Sequence, residues 1–238
     1  MPFDIGGFVY NTAFIQDYTK GGIVTDGLVL HLDAAYGNSY PKGGTTWYDL
    51  SGNGYNGTLT NGPTYNSGNG GSIVFDGSND YITLPQNSIN TNSNFTLSFW
   101  AKRNNSSNAT LISGLLPTGH FQLRYSSTSN IDILESFIVN IGTYSNVTTI
   151  NNIENIVMVR TSQEGMLVID TYTLYVNGSN VGAITSDTLF STQNPVLGLN
   201  YNAAGLNGSI YTFMYYNRAL SSTEVAINYN AQKGRFGL

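Results

Sequence analysis

Residues 94–103 read NFTLSFWAKR. Phe95, Leu97 and Phe99 fall on every second position, with Thr96, Ser98 and Trp100 between them. Successive side chains in a strand point to opposite faces, so the run predicts a strand with one apolar face and one mixed face. The same reading extends outward in both directions. Upstream, GLVLHLDA (27–34) puts Leu28, Leu30 and Leu32 on one face and Val29, His31 and Asp33 on the other. SIVFDG (72–77) and DYITL (80–84) follow it, joined by a turn at Gly77-Ser78-Asn79. Downstream come ATLISG, GHFQLRYS, IDILESFIVNIG, IENIVMVRTS, MLVIDTYTLYVNG, PVLGLN and SIYTFMYYNR. Asn177-Gly178 carries the signature of a two-residue hairpin turn. About a dozen strands at this spacing predict a β-sandwich or barrel.

Composition agrees. Charged residues are only 10% of the 238, while there are 27 glycines and 17 tyrosines. Gly and Asn supply the positive φ that tight turns need. The net charge is −5, and the nine Lys and Arg residues form no stripe that could neutralise a run of phosphates. Nucleic-acid binding is therefore not expected. No cysteine is present, which removes disulfides, thiolate metal sites and cysteine nucleophiles together. No apolar run is long enough to span a membrane as a helix. The first residues lack the basic start and apolar stretch of a signal peptide.

One helix is marked. In LSSTEVAINYNAQKG, Ser221 and Glu224 form a capping box, Leu220 and Val225 occupy staple positions, and Gly234 can stop the helix. Its expected place is the sandwich edge. Residues 1–26 have aromatics at Phe3, Phe8, Tyr10, Phe14 and Tyr18 without a clear period. They read either as a first strand with a linker or as an arm that packs on a neighbouring subunit. The domain itself is expected over 27–238.

Between the first two strand signals lies a looped region, 36–71, which contains WYDLSGNGYNGT (47–58). Either its aromatic rings anchor the loop to a core, or they face outward and bind something. Trp47 and Leu50 suit the first role. Tyr48 and Tyr55 suit either, since tyrosine serves both at the border of core and water and as a platform for a sugar. Tyr36, Tyr40, Tyr125 and Tyr201 enlarge the pool of platforms. Asp33, Asp49 and Asn53 flank the same loop region, and Asp76 and Asp80 flank another. Such residues make turns with their own backbone, or offer oxygens to calcium. If calcium binds, Asp33 and Asp49 are the first candidates.

GLVLHLDA, WYDLSGNGYNGTL, SIVFDGSNDYITL, FTLSFWAK, LYVNG and GSIYTFMYYNRALSSTEV, in that order, resemble the laminin-G-like, concanavalin A-like jelly-roll domains. The likeness covers roughly residues 27–230. It implies an all-β jelly-roll sandwich with one short C-terminal helix, in which DLSGNG is a loop crossing the start of the sandwich. The wording of GLVLHLDA, SYPKGGTTWYDLSGNG and ALSSTEV is similar to versions in tailed-phage virion proteins, notably of marine phages. Glycosidases of related folds carry paired carboxylates two apart on one strand. This chain has no E-x-D-x-E, and Asp132 and Glu135, three apart, fall on opposite faces. His31 and His120 are the only histidines and have no nucleophile elbow to serve.

The expectation is therefore a non-enzymatic virion structural protein, displayed on capsid or tail. Other virion subunits are its partners, and a homo-oligomer is expected. No cofactor is required, and calcium is the candidate ion. The alternative is a carbohydrate-binding adhesin for host-surface glycans. The two readings are compatible.

Overall fold

The computed structural model describes residues 22–114, 121–135, 139–163, 169–187, 194–200 and 205–238. Among them sixteen strands run in chain order. They are β1 (Leu28–Asp33), β2 (Thr46–Trp47), β3 (Gly57–Thr60), β4 (Thr64–Asn66), β5 (Ser72–Asp76), β6 (Tyr81–Thr83), β7 (Phe95–Arg103) and β8 (Ala109–Gly114). Then come β9 (Phe121–Ser126), β10 (Asn130–Glu135), β11 (Val139–Tyr144), β12 (Glu154–Gln163), β13 (Ile169–Val176), β14 (Ser179–Ser186), β15 (Pro195–Leu197) and β16 (Asn207–Tyr216). The strands exceed the expected dozen because the looped region 36–71 contains three short ones. Glycine and polar residues hide them from a period-2 reading, yet β2 pairs with β3 at Trp47↔Gly57, and β4 with β5.

Two antiparallel sheets stack into a sandwich. One has the order β14-β13-β12-β7-β16-β5-β4, with β1 also on β16; the other is β11-β10-β9-β8-β15-β6-β3-β2. Phe95, Leu97 and Phe99 of β7 face inward as the alternation requires, beside Phe213 and Tyr215 of β16. Across the gap stand Phe121, Leu123 and Tyr125 of β9. The Phe95 and Phe121 rings meet edge to face at 6.0 Å. Strands β5 and β6 belong to different sheets, so Gly77-Ser78-Asn79 carries the chain across the sandwich and does not close a hairpin. Asp76 and Asp80 spend their carboxylates there on the amides of Ser78 and Asp76. Asn177-Gly178, with φ of 50° and 76°, does turn the β13–β14 hairpin.

The outer face of the first sheet is not bare. Val157, Val159, Met214 and Tyr216 form a second apolar cluster with Leu220 and Val225. These last two flank the capping box of helix α1 (Ser222–Gln232), in which Ser221 Oγ accepts from Glu224 N and Glu224 Oε2 accepts from Ser221 N. The helix lies on this face, not at the sheet edge, because Trp100 projects outward from β7. Its ring stacks on Tyr229 at 5.7 Å and on Phe236 at 4.2 Å. Nor does Gly234 end the helix. The chain tightens into a 3-10 turn, Lys233–Phe236, and Gly237 takes the left-handed conformation at φ 74°.

Two further expectations shift. A bulge in β1 between Leu28 and Leu30 moves Leu28 off the face of Leu30 and Leu32. Leu28 packs on the second cluster, and Val29 on the main core. Val24 and Ile23 also join the second cluster, so the folded unit includes residues that the sequence assigns to the leader. Phe3, Phe8, Tyr10, Phe14 and Tyr18 lie outside the described residues, as do His120 and Tyr201.

Candidate functional site

Strand β1 pairs with β16 on one side only. Its other side is capped by the DLSGNG loop, which takes the place of a neighbouring strand. Leu50 N donates to His31 O at 2.8 Å, and His31 N donates to Asp49 Oδ1 at 2.9 Å. Ser51 Oγ and Asn53 Nδ2 both donate to Val29 O. An unpaired edge strand is a template for unwanted pairing, and this loop removes it. Asp49 is the hub. Its carboxylate also accepts from Ser51 N, Ser51 Oγ and Tyr55 N, at 2.9, 2.7 and 3.1 Å. Gly52 and Gly54, at φ 92° and 77°, allow the loop to wrap it.

The opposing loop, 34–40, is tied to the same stretch by Ser39. Asp33 N donates to Ser39 Oγ, and Ser39 Oγ donates to Tyr48 O at 2.6 Å. Trp47 is fully buried in the core, so alternation turns Tyr48 outward, where it is 45% exposed. Tyr36, in the opposing loop, is 59% exposed. Tyr55 is half-buried against the core and serves as packing. Tyr40 and Tyr125 are buried, which removes both as platforms.

Beside these loops opens a cleft of about 450 Å³. Its polar lining comes from Thr25, His31, Asp33, Tyr36, Asn38 and Gln232, and its apolar floor includes Leu28 and Leu50. Strand β1 supplies His31 and Asp33 because both sit on the face turned from the core. Asp33 pairs through Oδ1 with Arg235 Nη1 at 2.7 Å. Two further donors of Arg235 go to Asn69 O and Gly71 O. Burial pushes the His31 imidazole below its usual pKa, against the pull of Asp33 and Asp49, so the ring is neutral at pH 7.

Of the expected site residues, the structure brings Asp33 into the cleft, with Tyr48 and Asp49 on the adjoining loop. Asp33 and Asp49 are engaged by Arg235 and by loop donors, and calcium there would compete with those partners. Among the described residues no group of three or more His, Asp or Glu side chains could hold a metal ion. Asp132 is held by Arg124 at 3.1 Å and Thr143 at 2.7 Å, a structural tie across three strands. Sequence reading misses Asn38 and Gln232. Gln232 reaches the cleft from the end of α1, about 200 residues away in the chain, and no local pattern signals that meeting.

No curated protein matches the chain. Solved structures resemble it in shape. The binding domain of botulinum neurotoxin serotype D superposes with a TM-score of 0.64 at 17% identity, over 88% of this chain and 53% of that one. A sialidase of Trypanosoma rangeli gives 0.66 at 14%, over 94% and 38%. Domain 4 of an extracellular arabinanase from Geobacillus stearothermophilus, solved in complex with arabinotriose, gives 0.64 at 17%, over 84% and 96%. The chain thus spans about half the length of the toxin binding domain and nearly all of the arabinanase domain. At such identities these likenesses concern the fold. The profile of the concanavalin A-like lectin/glucanases superfamily matches residues 76–226, more than half of the chain, and the protein belongs to that superfamily.

Proposed function

We propose that the chain is a non-enzymatic recognition module, displayed on the surface of a tailed-phage particle, that binds carbohydrate in the cleft beside Tyr36. The observation that carries the binding role is the cleft itself. An exposed ring borders an open, amide- and carboxylate-lined groove, the combination that stacks on a sugar's apolar face and bonds its hydroxyls. The arabinanase domain in complex with arabinotriose supports a sugar ligand for this architecture. A non-enzymatic role is supported by the lining. Asp33 is the sole carboxylate in it among the described residues, and Arg235 engages it, whereas glycoside cleavage uses two.

Display on a particle rests on the phage-like motifs, with residues 1–22 as the segment that docks. Deleting residues 1–22 is expected to leave a folded sandwich, because Ile23 and Val24 stay on the second cluster. The truncated protein should melt within a few degrees of the full chain and should no longer join the particle. Failure to fold would make the segment part of the core.

The sugar role is tested on a glycan array. Tyr36→Ala should reduce binding by about two- to tenfold, since stacking on an aromatic ring contributes on the order of 0.5–1.5 kcal/mol. The melting temperature should not move, because the ring is mostly exposed. Binding unchanged by this substitution would place the ligand elsewhere.

A further inference from the structure

Charge decides what the cleft can hold. Its lining contains no lysine or arginine among the described residues. The guanidinium paired with Asp33, that of Arg235, spends three of its five N–H donors on Asp33 Oδ1, Asn69 O and Gly71 O and does not line the cleft. The imidazole of His31 is uncharged at neutral pH. Asp33 Oδ1 accepts from both Arg235 Nη1 and Ala35 N, whereas Oδ2 receives no donor from the described residues. Asp33 is only 4% exposed and lines the cleft. A nearly buried carboxylate oxygen without a donor attracts hydroxyl groups and repels anions.

We infer that the cleft selects neutral glycans, with a sugar hydroxyl donating to Asp33 Oδ2 and a neighbouring hydroxyl meeting the Asn38 or Gln232 amide, and that it rejects sialylated, uronate-bearing and sulfated ones. This inference rests on the cleft being the sugar site. An anionic sugar would have to give up water beside Asp33 with no lysine or arginine in the described lining to replace that hydration. A neutral sugar gives up only hydroxyl hydration and regains it from a carboxylate, an amide and the Tyr36 ring.

The test uses the full chain and two sets of probes in titration calorimetry. The neutral set is arabinotriose, mannotriose and cellotriose. The acidic set is sialyllactose, trigalacturonate and a sulfated heparin tetrasaccharide. At least one neutral probe should bind, and no acidic probe should bind within tenfold of it. Asp33→Asn is the informative variant, because it releases Arg235 from its counter-charge. It should weaken neutral binding about tenfold and narrow the gap to the acidic probes. Should that variant fail to fold, Asn38→Ala, at an exposed position, should still weaken neutral binding several-fold. Acidic probes binding as well as neutral ones, with Tyr36→Ala weakening both, would overturn the charge argument and leave the sugar site standing. Binding of acidic probes that Tyr36→Ala leaves unchanged, or no binding by either set, would overturn the sugar site and this inference with it.

Discussion

Trp47→Ala is expected to destabilise the protein by about 3–5 kcal/mol, toward the lower end of that range. The indole is fully buried in the main core. On the partner strand Gly57 stands opposite, where a Cβ would approach Ile82 Cγ2 to 2.8 Å, so this corner is filled and has little freedom to collapse around a smaller residue. The lower end is favoured because Trp47 Nε1 is buried without a hydrogen-bond partner. Removing an orphaned donor recovers part of its desolvation cost, on the order of 1 kcal/mol or more. Trp47→Phe separates the two effects. It keeps most of the ring volume and deletes the orphaned N–H, so it should cost under about 1.5 kcal/mol. Urea unfolding of both variants is the measurement. If Trp47→Ala costs less than 1 kcal/mol, the ring is not the anchor of the loop that presents Tyr48.

The pair Trp47-Tyr48 also shows what was legible in the sequence. Trp47 was legible as a core anchor and is fully buried, whereas Tyr48 was left open between core border and surface, and the structure exposes it. Alternation did predict that Phe95, Leu97 and Phe99 of β7 share one face and that Trp100 lies on the other. The capping box fixed the start of α1 because its two hydrogen bonds are local, three residues apart. Legibility failed where partners are distant. The alternation in 27–34 says nothing of the bulge that turns Leu28 to the other face, since bulges arise from the pairing with β16. The docking of α1 on the sheet depends on Trp100, Tyr229 and Phe236 meeting from three separate segments. The cleft was hidden for the same reason. Asp33 was legible as a candidate oxygen donor, but not that Arg235, 202 residues on, would bind one of its oxygens and leave the other. Polar residues in turns are abundant here, and only the fold decides which of them converge.

Glu154→Gln is expected to stabilise the protein above pH 7 by about 3 kcal/mol and to have little effect near pH 4.5. Glu154 is 5% exposed at the start of β12. Burial pushes its carboxyl from 4.5 up to about 7, although Thr149 N donates to Oε1 at 2.7 Å and the Arg103 charge pulls the other way. Between pH 4.5 and 7 the native state therefore binds more protons at this site than the unfolded chain. Stability falls as pH rises through that window, by about 1.4 kcal/mol for each unit of displacement. Glutamine cannot ionise, and its amide oxygen can still accept from Thr149 N, so the variant should lose this slope. The other acidic group with a large shift works in the opposite sense. Arg218 holds Glu224 down at about 2, and that contribution is lost as pH falls below 4.5 toward 2. Because Glu224 is common to both proteins, subtracting the two stability curves isolates Glu154. The competing force is Arg103, nearly buried, whose guanidinium donates to Ser127 O, Thr128 O and Thr148 Oγ1. If these neutral acceptors do not suffice, Arg103 needs the Glu154 charge. The variant would then be less stable than the parent at pH 8, and the slope in the subtracted curve would reverse. A gain at high pH means that burial outweighs the arginine, and a loss means that Glu154 and Arg103 form a working charge pair inside the sandwich.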